Sequence, residues 1–260
     1  MEKIPKIIFI VPYRDRENQK NLFLRQMKYV LEDLSPDDYK IYFSEQCDNR
    51  DFNRGAMKNI GFITMKLKYP NDYKNITFVF NDVDTMPYKK NLLNYQTTEN
   101  NIKHFFGFNF TLGGIVSILG SDFEKIKGFP NLWCWGYEDN AFQYRALNLG
   151  INIDRSQFYN FLDKEIIQFT DDIFKKVNKQ EFYRYKEKTD DGIHTIQSLD
   201  YTIDEENQTI NITGFTIPFQ NNSNENILHD ISKSNSPFIY DKNIKKGRFS
   251  NVKMKMQMNF

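Results

Sequence analysis

Residues 76–84 read ITFVFNDVD, an apolar stretch that runs into two aspartates. β-Branched and aromatic residues bounded by polar ones predict a buried β-strand over ITFVF. Since side chains alternate along an extended backbone, Asp82 and Asp84 lie on the same side just after that strand. Paired carboxylates in this position suit Mg²⁺ or Mn²⁺ bridging phosphate oxygens. Asp-x-Asp pairs are also common in turns, so it is the preceding strand that favours a cation site.

Two β–α units precede this strand. KIIFIV at 6–11 and YKIYFSEQ at 39–46 predict strands. The helix after the first strand has apolar residues at helical spacing, namely Phe23, Met27, Val30, Leu31 and Leu34, and stops at Ser35-Pro36. The helix after Asn53 carries Met57, Ile60, Ile63 and Leu67 on one side. Alternating strands and helices predict a mostly parallel sheet, whose ligands bind beyond the carboxyl ends of the strands.

The composition excludes several classes of protein. The 260 residues include 35 basic and 34 acidic side chains, a net charge of +1, so no nucleic-acid partner is expected. Cys47 and Cys134 lie far apart and do not imply a disulfide framework. The apolar run near the N-terminus is too short to span a membrane and lacks a signal-peptidase site. We therefore expect no signal peptide or transmembrane anchor in this chain, and the expected location is the cytoplasm or a compartment that the sequence does not indicate.

Three further segments fall near the ends of the predicted strands, and each has two interpretations. In VPYRDR, Arg14 and Arg16 are either diphosphate ligands or exposed arginines. In DFNRGAMKNIGF, Phe52 either lies against a base ring or packs in the core, while Asn53 caps a helix. The glycine pair of TLGG, at 111–114, allows close approach of a sugar or forms a simple turn.

The stretch GFPNLWCWGYEDN, at 128–140, places Glu138 and Asp139 just after two tryptophans. Helically spaced apolar residues follow, namely Phe142, Ala146 and Leu149, and Gly150 would end that helix. Taken alone, the segment favours core tryptophans beside acids that cap a helix. The alternative is a sugar site, with an indole face for stacking and a carboxylate that removes a proton.

The last third of the chain has a looser pattern. IHTIQSLDYTIDEENQTINITGF, at 193–215, alternates in the manner of a late β-hairpin with a polar turn. Residues 221–260 are polar and then basic, which is typical of a loosely packed tail. We therefore predict a domain over 1–220 and a C-terminal tail over 221–260.

Five ordered blocks between residues 10 and 150 resemble the β-1,4-galactosyltransferase family, glycosyltransferase family 7. The blocks are VPYRDR, FNRGAMKNIGF, FVFNDVDTMP, GGIVSILGSDFEKIKGFP and WCWGYEDN. The resemblance implies a GT-A fold of the α/β class, a Rossmann-like and mostly parallel central sheet with helices on both faces. It also implies inverting transfer of a sugar from a UDP-sugar donor to a carbohydrate or glycoconjugate acceptor, assisted by Mn²⁺ or Mg²⁺.

The resemblance also implies roles for individual residues. The positions that match UDP contacts are Pro12, Tyr13, Arg14, Arg16, Phe52 and Arg54, and Asp82 and Val83 match nucleoside contacts. Asp84 matches a metal ligand, and Gly114 and Trp135 match residues around the donor sugar and its phosphates. Glu138 and Asp139 match the acidic pair at the acceptor, with Asp139 as the general base.

Two departures from the family pattern concern the metal and the donor. The family completes its metal site with a histidine after the acidic helix, where EIIQFTDD places Phe169 here. Asp171, Asp172 and His194 are the substitutes, and a Mg²⁺-tolerant site, metal independence or loss of activity would each follow. Thr111 stands where the family often has a large tyrosine, so UDP-GalNAc is a donor candidate beside UDP-Gal.

Two rival functions remain open on the sequence. A non-catalytic nucleotide-sugar or glycan-binding module would explain the missing histidine, although it would not need the acidic pair. A nucleotidyltransferase also uses paired aspartates, although it would not need the Trp-x-Trp-Gly-x-Glu-Asp segment.

Overall fold

The computed structural model describes residues 3–170, 173–220, 222–232 and 237–238. Its first elements are β1 (Ile7–Tyr13), α1 (Glu17–Val30), β2 (Tyr39–Gln46), α2 (Arg54–Lys68) and β3 (Thr77–Asn81). These are the predicted strands and helices, with shifts of one or two residues at the ends of β1 and β3 and a larger difference in α1. In α2, Leu67 is 62% exposed and so lies off the buried face on which the spacing placed it. The helix α1 ends at Val30 because residues 31–34 form a turn, which leaves Leu34 exposed instead of on the buried helix face.

The remaining elements follow in chain order. They are β4 (Thr85–Pro87), β5 (Asn101–Gly107), β6 (Ile115–Leu119), α3 (Gly120–Ile126), α4 (Glu138–Asn148), β7 (Asn152–Asp154), β8 (Tyr159–Asn160), β9 (Ile166–Gln168), β10 (Phe174–Asn178), α5 (Lys179–Lys186), β11 (Gln197–Asp204), β12 (Thr209–Thr216) and β13 (Asn226–Asp230).

The central sheet has the strand order β11-β12-β2-β1-β3-β6-β5-β7, and β8 also pairs with β5. The strands β12, β2, β1 and β3 run parallel to one another, as do β5, β7 and β8. The strand β6 is antiparallel to both of its neighbours. Among the described residues the sheet is therefore mixed but mostly parallel, which confirms the predicted fold class.

Helices cover both faces of the sheet. Alternate residues of β1 belong to different clusters, so Ile8 and Ile10 pack with α2, α3 and α4, whereas Phe9 packs with α1. The first cluster is rich in phenylalanine, and the rings of Phe129 and Phe142 stack with centroids 4.0 Å apart. Phe129 lies in the loop after α3, and its backbone N–H donates to the Asn59 Oδ1 at 2.9 Å, so this loop links α4 to α2.

The late hairpin forms as predicted and has an additional role. Strands β11 and β12 pair antiparallel, and Asp204 accepts a hydrogen bond from the Asn207 amide in the turn. The strand β12 also pairs parallel with β2, so the hairpin extends the central sheet at its edge. No helix in the described part of the chain is long and apolar enough to cross a bilayer.

The segment after residue 220, which the sequence predicts to be a loosely packed tail, contributes a strand to the described structure. Strand β13 pairs antiparallel with β10 over five residues. Its Asn226 side chain also bonds the Asp51 carboxylate, 175 positions earlier in the chain. The pairing uses backbone groups, so the polar composition of this segment concealed the strand. The basic stretch from 239 onward lies outside the described residues.

Candidate active site

A cavity of about 670 Å³ opens where the carboxyl ends of β1, β2 and β3 meet the start of α4. Twelve of the predicted site residues line it: Pro12, Arg14, Arg16, Phe52, Arg54, Asp82, Val83, Asp84, Gly114, Trp135, Glu138 and Asp139. A parallel α/β fold binds its ligands at these carboxyl ends of the strands. The tertiary structure thus brings together segments that are separated by more than 120 residues.

Tyr13 is the predicted site residue that does not line the cavity. Its side chain is 7% exposed and packs edge-on against Phe43, with ring centroids 5.8 Å apart. Because neighbouring side chains on a strand point in opposite directions, Pro12 faces the cavity and Tyr13 faces the core. The Tyr13 side chain therefore packs in the core, and a contact between this position and UDP stays a prediction.

The acidic pair does not act as a helix cap. The residue before α4 is Tyr137, with φ of 72° and no capping hydrogen bond from its side chain. The Asp139 carboxylate is instead held by two cations from α2. The Lys58 Nζ donates to Oδ1 at 2.7 Å, and the Arg54 Nη1 donates to Oδ2 at 2.8 Å.

Arg54 joins the acidic pair to the aspartates after β3. Besides Asp139, its guanidinium donates to Glu138 and, through Nη2, to Asp82. Asn53 positions the arginine at the start of α2, because its Oδ1 accepts from the Ala56 amide at 2.9 Å as an N-cap. The result is a cluster of three carboxylates around a single guanidinium.

The two acids of the pair are driven apart in pKa. Burial alone would raise the pKa of Asp139, but the charges of Arg54 and Lys58 outweigh it and hold the pKa below its usual value. Burial, reinforced by the negative charge of Asp139, raises the pKa of Glu138. Divergent pKa values in a carboxyl pair are typical of acid–base sites. Asp139 is consequently the carboxylate that stays ionised and able to accept a proton.

The glycine pair approaches the acidic pair closely. A Cβ atom on Gly113 would lie 2.3 Å from the Asp139 Oδ2, and one on Gly114 would lie 2.3 Å from the Phe106 carbonyl oxygen. Gly114 also has φ of +73°, and its carbonyl accepts from the Asp82 amide at 3.0 Å. The segment is therefore a close contact between the Asp82 loop and the start of α4, rather than a simple turn.

The two tryptophans have different environments. Trp133 is 2% exposed, stacks on Phe215 with centroids 5.7 Å apart, and donates its indole N–H to the Phe219 carbonyl at 3.1 Å. Trp135 is half-buried and lines the cavity. The core interpretation therefore applies to Trp133, whereas Trp135 is available to the cavity and its role as a sugar contact stays a prediction.

Arg14 holds the loop after β2. Its guanidinium donates to the carbonyl oxygens of Gln46, Asp48 and Arg50 at 2.7–3.2 Å, and its Cζ lies 5.6 Å from the centroid of the Phe52 ring. The arginine thereby supports the wall of the cavity that carries Phe52. The sequence offered diphosphate binding or simple exposure, and neither alternative included this supporting role.

The corner around Asp84 offers one hard oxygen ligand next to an apolar ring. Pairing of β4 with β9 brings the Phe169 amide to the Asp84 carbonyl at 3.0 Å, so Phe169 adjoins Asp84 in space. Burial and the nearby charge of Asp82 raise the pKa of Asp84 to about 6. A bound cation would stabilise the ionised form of this carboxyl group. Within the described ranges, no three His, Cys, Asp or Glu side chains come together as metal ligands. Asp84 alone would not hold a divalent cation, so a cation fits here only if phosphate oxygens complete its coordination.

Of the three proposed substitutes for the missing histidine, the structure describes one, and it does not lie at this corner. His194 lies 3.7 Å from Asp190 and does not line the cavity. Asp171 and Asp172 lie outside the described residues.

Lys58 is the main site residue that the sequence did not single out. Its side chain is 2% exposed, in a part of α2 where residues 55–62 are all buried. One signal was present, because Lys58 follows Arg54 by four residues and so projects from the same face of the helix. The contact with Asp139, 81 positions away, depends on tertiary structure.

The fold matches that of known sugar transferases. The catalytic domain of Drosophila β1,4-galactosyltransferase 7, crystallised with xylobiose, superposes with a TM-score of 0.66 at 20% identity, over 85% of this chain and 97% of that chain. A variant of the same enzyme in complex with manganese, UDP-Gal and xylobiose gives 0.65 at 19% identity. These likenesses define the class of fold as GT-A.

The chain belongs to glycosyltransferase family 7. A family model for the N-terminal region of glycosyl transferase group 7 matches residues 2–97, and one for the N-terminal domain of galactosyltransferase matches residues 96–178. Together the two models cover more than half of the 260 residues.

Individual relatives agree with this family. Human β-1,4-galactosyltransferase 1 is 32% identical over 161 residues, and human β-1,4-galactosyltransferase 4 is 30% identical over 160 residues. These alignments cover 58% and 55% of this chain but 39% and 43% of the two human proteins, less than half of either length. Drosophila melanogaster β-1,4-galactosyltransferase 7 is 28% identical over 72% of this chain and 55% of its own length.

Proposed function

We propose that the protein is an inverting glycosyltransferase that moves Gal or GalNAc from a UDP-sugar to a hydroxyl group of a carbohydrate acceptor. The observation that carries the proposal is the position of Asp139. This carboxylate, held ionised by Arg54 and Lys58, lies in the wall of the cavity that Asp82 and Asp84 also line. Relatives of this chain are galactosyltransferases, and a protein of similar fold was crystallised with UDP-Gal.

Asp139 acts as the general base. Its carboxylate takes the proton of the acceptor hydroxyl as that oxygen forms the new bond to the anomeric carbon, and the bond from that carbon to the UDP oxygen breaks. The electron pair of the broken bond leaves with UDP. Base catalysis of this type contributes ~10²–10⁴ in rate. Attack opposite the leaving group inverts the configuration at the anomeric carbon.

The remaining cavity residues bind the donor and balance its charge. Arg16 and Arg54 supply positive charge near the diphosphate, and the Phe52 ring supplies a face for the uracil. Asp84 together with diphosphate oxygens would hold Mn²⁺, or Mg²⁺ in its place. When bound, this cation neutralises charge on the departing UDP.

The donor sugar lies between Trp135 and the glycine pair in this proposal. Trp135 offers an apolar face and an indole N–H at the cavity. Thr111, which also lines the cavity, is small enough to leave room for an N-acetyl group. UDP-GalNAc therefore stands beside UDP-Gal as the donor.

A non-catalytic nucleotide-sugar-binding module is the second candidate, and Phe169 favours it. An aromatic ring beside Asp84 cannot ligate a metal, so binding without turnover would follow if the cation is essential and is not held. The ionised Asp139 speaks against this candidate, since a binding module has no use for a positioned base.

The test is UDP release from UDP-Gal, UDP-GalNAc, UDP-Glc and UDP-GlcNAc, with Mn²⁺, Mg²⁺ or EDTA, and with N-acetylglucosamine or xylose as acceptor. We expect acceptor-stimulated release that EDTA abolishes, and a ~10²–10⁴-fold loss in D139N with retained UDP binding. The matched control is D190N, because the Asp190 side chain is 72% exposed and does not line this cavity. Binding of UDP-sugars without release would establish the non-catalytic module instead.

A further inference from the structure

Lys58 is a buried cation beside the candidate base. Its side chain is 2% exposed, its Nζ lies 2.7 Å from the Asp139 Oδ1, and it sits 4.2 Å from the centroid of the Phe129 ring. Lysine is almost never fully buried unless it is paired, because an isolated ammonium loses its hydration. The pairing with Asp139 is therefore what allows the charge to stay inside.

The two oxygens of Asp139 have different surroundings. The Oδ1 atom accepts from Lys58, which has one acidic partner among the described residues. The Oδ2 atom accepts from Arg54 and adjoins Gly113, a residue of the cavity wall. Arg54 is shared with Glu138 and Asp82 and its side chain is 21% exposed, so Lys58 is the more buried and more dedicated of the two cations.

We propose that Lys58 is a positioning residue for the reaction, holding Oδ1 of Asp139 so that Oδ2 receives the proton of the acceptor hydroxyl. This inference rests on the proposed function and deepens it by assigning the orientation of the base to a residue on α2. The ammonium also balances the charge of Asp139 when the Arg54 guanidinium interacts with the diphosphate of a bound UDP-sugar.

The charges that face Asp139 predict the consequence of removing the lysine. Arg54 and Lys58 of α2 both donate to Asp139, and Glu138 precedes it on α4. Asp82 bonds the same Arg54 guanidinium. His104 of β5 contacts the Gly113 carbonyl, next to Asp139. Without Lys58, one guanidinium remains for three carboxylates. Asp139 then binds a proton more readily, and its carboxylate is held by Arg54 alone.

The experiment compares K58M with the wild-type protein in the UDP-release assay across pH. Methionine keeps a similar apolar volume and removes the charge. We expect the acidic limb of kcat/KM to move to higher pH by about one unit and the plateau of kcat to fall about tenfold. The Kd for UDP, measured by calorimetry, should stay within about twofold, and K58R should return the limb toward its wild-type position.

Two controls separate positioning from a general structural effect. K66M removes another paired lysine from α2, whose side chain is 38% exposed beside Glu124, and should leave the pH profile unchanged. K58M should have little further effect in a D139N background, because the two residues act through one contact.

The outcomes are distinguishable. Wild-type turnover with an unshifted acidic limb in K58M, or an equal loss from K58M in both backgrounds, would overturn the role of Lys58 and leave the proposed function standing. Absence of turnover in the wild-type protein would instead overturn the proposed function, and the role of Lys58 with it.

Discussion

At the scale of single residues, the site depends on a glycine that allows two segments to touch. Gly113 lies so close to Asp139 that a Cβ atom would come within 2.3 Å of Oδ2. Non-bonded atoms do not approach so closely, so a larger residue must displace either the base or the glycine segment. The absence of a side chain is thus part of the geometry of the candidate base.

We predict that G113A lowers turnover by ~10–100-fold, because it displaces Asp139, and a general base in the proposed role has to lie within hydrogen-bond reach of the acceptor. The loss of stability should be about 1–3 kcal/mol, as for other overpacked sites. Turnover and urea unfolding would measure the two effects. G214A is the matched control, because its Cβ would meet the flexible Asp200 carboxylate at 3.1 Å. Wild-type turnover in G113A would contradict this account of the contact.

At the scale of elements, His104 ties β5 to the glycine pair and to α4. Its Nε2–H donates to the carbonyls of Phe106 and Gly113, both at 3.0 Å, while its Nδ1 accepts from Arg155 Nε at 3.0 Å. Arg155 continues the network by donating to Gln143 of α4 at 2.6 Å. These partners require a neutral imidazole with the proton on Nε2, since Nδ1 has to accept.

Burial, reinforced by the charge of Arg155, lowers the pKa of His104 to about 4. The unfolded chain binds a proton near pH 6.5, whereas the folded protein resists it until about pH 4. The free energy of unfolding should therefore fall as the pH drops through this range, by up to about 3 kcal/mol from this residue. Urea unfolding at successive pH values measures the slope.

In that measurement H104N should flatten the slope between pH 6.5 and 4, although it costs stability at pH 8 through the lost hydrogen bonds. F158L is the control, because it alters the ring that lies 4.8 Å from His104 and removes no titrating group. A slope that persists unchanged in H104N would assign the acid sensitivity to other groups.

At the scale of the whole molecule, the C-terminal strand belongs to the structure that supports the cavity. The side chain of Asn226, on β13, contacts Asp51, and Lys176 of β10 contacts Asp51 from the other side at 2.7 Å. Both Asp51 and Lys176 line the cavity. Phe238 packs on Phe182 with ring centroids 5.7 Å apart, which adds an apolar contact to the same region.

A chain that ends at residue 220 should consequently be less stable than one that ends at residue 238. We expect its melting midpoint to be lower by roughly 5–10 °C, as for the loss of about 2–3 kcal/mol from a domain of this size. UDP-sugar turnover should fall as well, since the wall of the cavity loses support. Equal melting midpoints and equal turnover in the two chains would show that the domain ends at residue 220, as the sequence predicts.

The sequence by itself determined the parts of the fold that depend on neighbouring residues. Alternation and helical spacing located the first three strands and the first two helices. The ITFVF strand placed Asp82 and Asp84 at the carboxyl end of a strand. The ordered blocks indicated the family and twelve of the residues that line the cavity. Periodicity is a local property of the backbone, so it can be read from consecutive residues.

Only the tertiary structure decided how the charges are used. Arg54 and Asp139 are 85 positions apart, and nothing local indicates that they bond or that Lys58 is buried against the same carboxylate. Tyr13 turned into the core, and β13 joined β10 despite its polar sequence. The physical reason is that ion pairs, burial and strand pairing depend on which distant segments meet, and that is set by the packing of the whole chain.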